Sequence, residues 1–125
     1  MAPAAITRQI LQQKLQAWAA GILAAADVHK WVMDLQLDGP CEFEDWETYA
    51  DAQFSVSKEV MAELEMLDIN FITVNDIPTF TEFLDTKAGD FEAAYILFIE
   101  RLQAIDPAER MKMLKSTEPY ARHCR

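Results

Sequence analysis

Apolar positions along the chain recur at helical spacing. Ile6, Ile10, Leu11, Leu15 and Trp18 form one stripe, which predicts a helix over about 5–20 with one face toward a core. Val28, Trp31, Val32 and Leu35 repeat the pattern and predict a second helix over about 24–37. Gly21 stands where a C-cap glycine belongs. The short connection around it predicts that the two helices pack as an N-terminal antiparallel hairpin. Gly39-Pro40 ends the second helix, since proline cannot continue one.

Trp46, Tyr49, Ala50, Phe54, Val60, Met61, Leu64 and Leu67 then fit the stripe of a long helix over about 45–68. Ser55, Val56 and Ser57 are weak helix formers that could bend or break it. Thr73-Val-Asn-Asp76 reads as a capping box with Asp in place of Glu. It opens a helix over about 76–85 that tolerates Pro78 near its start and turns Ile77, Phe80, Phe83 and Leu84 inward. After Gly89, the residues Phe91, Ala94, Tyr95, Phe98, Ile99 and Leu102 mark a helix over about 90–105. Asp106-Pro-Ala-Glu109 starts a last one, with Met111 and Leu114 on its apolar face. Residues 116–125 are polar, contain Pro119 and read as a loose tail. Phe71–Val74 is a strand-like run without a partner. The expected fold is therefore all-α, a single domain over 1–125 built as a bundle of about six helices.

Composition narrows the class. With 125 residues, 51% apolar, three Gly and five Pro, the chain suits one folded domain and not a disordered or collagen-like polymer. Ala17–Ala26, preceded by Arg8 and Lys14, imitates a secretory signal. Yet it is mostly Ala, contains Gly21, and follows Gln9, Gln12, Gln13 and Gln16, the polar face of an amphipathic helix. A cytoplasmic location is expected, and no run reaches the ~18 apolar residues of a membrane span. Cys41 and Cys124 form neither a CxxC pair nor a zinc ligand set. Reduced thiols are expected, with a disulfide from the tail to the 38–45 loop as the alternative.

Motifs for chemistry are scarce. There is no phosphate loop, HExxH, GxSxG or di-iron ExxH pair. His29, beside Lys30, reads as a partly exposed surface histidine, and His123-Cys124 as a tail dipeptide. No catalytic residue, metal site or cofactor is expected. One remote alternative is calcium: with Asp34 as position one, oxygens fall at Gln36, Asp38, Glu42 and Asp45 around Gly39, the outline of an EF-hand loop. Gln36 at three, Asp45 in place of a bidentate Glu at twelve, and Cys41 all depart from that pattern.

Charge is distributed in blocks. The net charge is −10, which disfavours generic binding to nucleic acid or anionic membranes. Fourteen acids, from Asp34 to Asp85, lie between Trp31 and Thr86 with Lys58 as the one base among them. Residues 1–30 sum to +2 and 87–125 to +1. Glu47–Asp51 and Glu59–Glu63 are like-charge pairs four apart, which cost a little where Glu–Lys pairs would gain. Such a block serves either an outward field for a basic partner or simple solubility. The candidate partner-binding residues are Glu42, Glu44, Asp45, Glu47 and Asp51, with Phe43, Trp46 and Ala50 expected inward between them.

The hairpin with Trp18, Gly21, Ile22, Val28 and Trp31, followed by the long acidic helix, resembles the small helical immunity proteins of bacteria. They neutralise colicin-type or contact-dependent toxins. The resemblance covers residues 6–70 in size, helix content and acidity. It implies a cytoplasmic, non-enzymatic protein that covers a basic partner, such as a nuclease toxin. The competing class is a regulatory or structural helical homo-oligomer.

Overall fold

The computed structural model describes residues 4–124. Its elements run β1 (Ala4–Ile6), α1 (Arg8–Ala19), α2 (Ala25–Leu37), β2 (Cys41–Phe43), β3 (Trp46–Tyr49), β4 (Ala52–Ser55), α3 (Val56–Glu65), α4 (Ile77–Leu84), α5 (Phe91–Gln103) and α6 (Pro107–Leu114). One 3-10 turn at Val74–Asp76 leads into α4, and another at Ala121–His123 follows α6. The molecule is mostly helical, as its periodicity predicts, but it is not all-α: two small sheets accompany the six helices.

Local chemistry sets the helix starts. Thr7 Oγ1 accepts from the Ile10 amide at 3.1 Å, and Asp106 Oδ1 from the Glu109 amide at 3.2 Å. At the start of α4, Asp76 Oδ2 accepts from the Thr73 amide at 2.8 Å, the reciprocal half of the expected box. Gly21, Gly39 and Gly89 take φ of +77°, +124° and +91° at the helix ends and turns they were expected to mark.

The long helix expected over 45–68 is the main correction. Only Val56–Glu65 is helical, and Trp46–Ser55 is an antiparallel hairpin pairing Trp46 with Ser55 and Tyr49 with Ala52. Trp46, Thr48, Tyr49 and Phe54 favour extended backbone. Ser55 then closes the strand and caps α3, its Oγ accepting from the Lys58 amide at 3.1 Å. The hairpin turn is Ala50-Asp51, both at positive φ, +50° and +65°. That is the conformation a two-residue hairpin loop requires, here made without glycine. The 38–45 segment holds a second unforeseen strand. β2 pairs in parallel with β1, placing Ala4 opposite Cys41 and Ile6 opposite Phe43.

One apolar cluster runs through the molecule and includes Leu11, Leu15, Trp18, Val28, Val32, Val60, Leu64, Phe80 and Phe98. Trp18 is buried as expected, whereas Trp31 is half-buried beneath the Lys14 ammonium, 4.9 Å from the ring centre. Phe83 stacks on Phe98 with centroids 4.2 Å apart. Tyr49 and Phe54 dock the hairpin on Phe91 of α5, at 5.9 and 5.2 Å.

The tail is not loose as far as residue 124. The Tyr120 ring is buried in the core and its hydroxyl donates to the Ile72 carbonyl. Arg122 Nη2 and His123 Nε2 lie 2.9 and 2.8 Å from Asp68 Oδ2. Residue 125 lies outside the described residues. No helix among those described is long and apolar enough to cross a membrane.

Candidate acidic binding surface

The basic ends of the chain fold onto its acidic middle. Arg8 and Lys30 pair with Asp45 and Asp34, at 2.8 and 2.7 Å. Arg101, Arg110 and Arg122 pair with Glu82, Asp76 and Asp68. Five acids of the central block are thus neutralised by bases from outside it. The rest, among them Asp38, Glu42, Glu44, Glu47, Asp51, Glu59, Glu63 and Glu65, have no ion-pair partner among the described residues.

The five expected binding residues separate into two roles. Glu42, Glu44 and Asp51 are exposed: Glu42 in β2, Glu44 after it, and Asp51 at the hairpin turn. Glu47 is half-buried and accepts the Gly89 amide at 2.7 Å, tying the hairpin to the approach of α5. Asp45 is a structural acceptor. Its Oδ2 takes Arg8 Nε at 2.8 Å, the Ser57 amide at 3.0 Å and Ser57 Oγ at 3.1 Å, while Oδ1 takes the Ser55 hydroxyl. Burial opposes its ionisation, but the bonds from Ser55, Arg8 and Ser57 outweigh that and hold the carboxyl below the usual carboxylate range. It also sits at the N-terminus of α3, where negative charge is favoured.

The inward positions differ from expectation as well. Phe43 is half-buried against the core, but Ala50 is exposed at the turn and Trp46 is 42% exposed. Trp46 Nε1 donates to the Phe43 carbonyl at 2.8 Å and its ring carries Lys58, with Nζ 5.4 Å from the ring centre. Strand alternation places Glu47 and Tyr49 on the covered side and Trp46 and Thr48 outward.

The calcium outline does not assemble. Asp34 and Gln36 belong to α2, where Asp34 holds Lys30 and Gln36 donates to the Glu65 carboxylate. Glu42 points outward from β2, and Asp45 is spent on Arg8, Ser55 and Ser57. Among the described residues, no group of three His, Cys, Asp or Glu is placed to hold a metal ion.

Two further places stand out. The first is Asp68, buried and met by Arg122, His123 and, at 3.4 Å from Oδ1, His29 Nε2. Burial opposes its charge, yet these partners hold its carboxyl below the usual range. His29 is therefore not a surface histidine; it is 13% exposed and also lies 3.2 Å from the Glu65 carbonyl. Nothing in spacing brings residues 29, 68 and 123 together. The second is an open cleft of about 400 Å³ walled by Ile69, Phe71, Ile99, Leu102, Ile105 and Glu63. Cys41 and Cys124 are both thiols; burial, with the charge of Glu65, pushes the Cys41 thiol up, away from thiolate reactivity.

Comparison of the chain with models of known protein families, with curated proteins and with solved structures finds no match.

Proposed function

We propose that this chain is a non-catalytic acidic binding protein that covers a basic surface of another protein. The observation that carries the reading is the division of its acids. Five are neutralised by bases drawn from both chain ends, while Glu42, Glu44, Glu47 and Asp51 of the β2–β4 segment and the glutamates of α3 have no ion-pair partner among the described residues. Glu42, Glu44 and Asp51, exposed and without counter-ions among the described residues, project a negative field. Such a field speeds encounter with a lysine- and arginine-rich partner. Nuclease toxins carry such surfaces, so neutralisation of a toxin by a cytoplasmic immunity protein is the specific form that the family resemblance implies.

The test uses the exposed residues and spares Asp45. Full-length protein and the variant Glu42→Lys, Glu44→Lys, Asp51→Lys are compared as immobilised baits in host extract, with salt elution and mass spectrometry. A basic protein that is held by the wild type, released by salt and lost to the variant supports the reading. A partner held equally by both, or a neutral or acidic one resistant to salt, rejects this surface. Sedimentation of the purified protein addresses the homo-oligomer: a stable dimer unaffected by the three lysines would favour that class.

A further inference from the structure

We infer that the cleft beside Glu63 is a docking site for a bulky apolar side chain flanked by lysine or arginine on a protein partner. This rests on the reading of the chain as a binder of basic proteins and names the chemistry of one contact. The cleft opens to solvent between the 69–72 turn and the corner where α5 gives way to α6. Ile69, Phe71, Ile99, Leu102 and Ile105 make its walls apolar, and Ile69 is 48% exposed. A volume of about 400 Å³ lies in the range of preformed ligand pockets and suits one or two large side chains.

The turn that forms one wall is held from behind. Arg110 Nη1 donates to the Phe71 carbonyl at 2.7 Å, the Tyr120 hydroxyl donates to the Ile72 carbonyl, and the Ile72 amide donates to the Leu67 carbonyl at 3.0 Å. Phe71 itself sits at φ +53°, an unfavourable backbone for a bulky residue. Strain retained under such bracing is a recurring mark of binding sites. A wall fixed in advance loses little freedom when a partner docks.

Charge selects the occupant. Glu63 lines the cleft, and Glu59 lies one turn away on the same α3 face. Burial, and for Glu63 the neighbouring Glu59 charge, push both carboxyls up. Neither has a cation in ion-pair range among the described residues. Arg110, behind the wall, is already paired with Asp76 by both Nη1 and Nη2. An apolar slot lined by half-buried Glu63, whose charged neighbour Glu59 repels it, takes an apolar group next to a cation, and rejects an anion.

The experiment needs no identified partner. Three capped tetrapeptides, acetyl-Lys-Phe-Leu-Arg amide, acetyl-Gln-Phe-Leu-Gln amide and acetyl-Glu-Phe-Leu-Glu amide, are titrated into the isotopically labelled protein and read by amide shifts. The basic peptide should shift Asn70, Ile72 and Gln103 saturably, binding at least about threefold tighter than the neutral one at low salt. The acidic peptide should be weakest. Glu59→Gln with Glu63→Gln should erase the preference, whereas Glu42→Gln with Glu44→Gln should leave it. No saturable shifts at the cleft, equal binding of all three peptides, or equal loss in both double variants would overturn the inference. Failure here with a partner still captured through Glu42, Glu44 and Asp51 rejects the cleft and leaves the acidic-surface reading standing. Peptide binding here without any captured partner does the reverse.

Discussion

Asp45 collects Arg8 of α1 and Ser55 and Ser57 of the β4–α3 junction on one carboxylate. Arg8 in turn bonds the carbonyls of Leu84 and Thr86 at the end of α4, where a cation also meets the negative end of the helix dipole. Replacing Arg8 with Met should cost about 2 kcal/mol, less than a fully buried pair because both side chains keep some exposure; chemical denaturation measures it. At Ala50 and Asp51 the sign reverses. An alanine in the left-handed region costs roughly 1 kcal/mol relative to glycine or asparagine, and an aspartate less. Ala50→Asn with Asp51→Gly should therefore raise the unfolding free energy by about 1 kcal/mol, and an unchanged or lower midpoint would show the turn is held by something else.

Among the elements, the tail is predicted to act as part of the core. Tyr120→Phe leaves the Ile72 carbonyl buried without its donor and should cost about 1–2 kcal/mol in thermal or denaturant unfolding. The same phenol is pushed far up by burial, then by Asp76. Its neutral form is favoured in the fold, so its contribution holds below the unfolded value near ~10 and fades as pH rises above it. None of this was legible in 116–125, where polarity and Pro119 mask one anchoring ring. α1, α2, α4, α5 and α6 were legible, since amphipathic stripes and caps are local signals. The hairpin was not: Trp46, Tyr49, Ala50 and Phe54 match a helical stripe while the same segment alternates as a strand, and a short apolar run supports either period. β1 and β2 depend on pairing across 37 residues, which no local pattern announces. At the candidate site the exposure of Glu42, Glu44 and Asp51 was legible from composition; the capture of Asp45 by Arg8, the Asp68 cluster and the cleft arise from tertiary contacts alone.

At the scale of the whole molecule, two sets of acids pull stability in opposite directions with pH. Asp45 and Asp68 are held below the usual range, so their contribution is present above the unfolded value near ~3.9 and is lost as pH falls through their folded values. Glu59 and Glu63 are pushed up, so the fold gains as pH falls through their folded values toward the unfolded value near ~4.3. Stability should therefore rise as pH falls from 7 toward the unfolded glutamate value near ~4.3 and decline below the unfolded aspartate value near ~3.9. Glu59→Gln with Glu63→Gln should remove the rise and leave the acid collapse intact, as melting curves across pH will show. A flat profile for wild type between pH 7 and 5 would mean that water reaches both glutamates fully.

The tethered tail also bears on time. The pairing of β1 with β2 and the packing of α1 against α4 involve no residue of the tail, so they can form before Tyr120 docks. Until then the 69–72 turn lacks the donor to its Ile72 carbonyl, and Asp68 lacks Arg122 and His123. In that interval the core is open on the side of that turn. Completion of the fold thus waits on the docking of residues 120–124, and with them undocked the cleft wall keeps Arg110 on the Phe71 carbonyl but loses the Tyr120 brace.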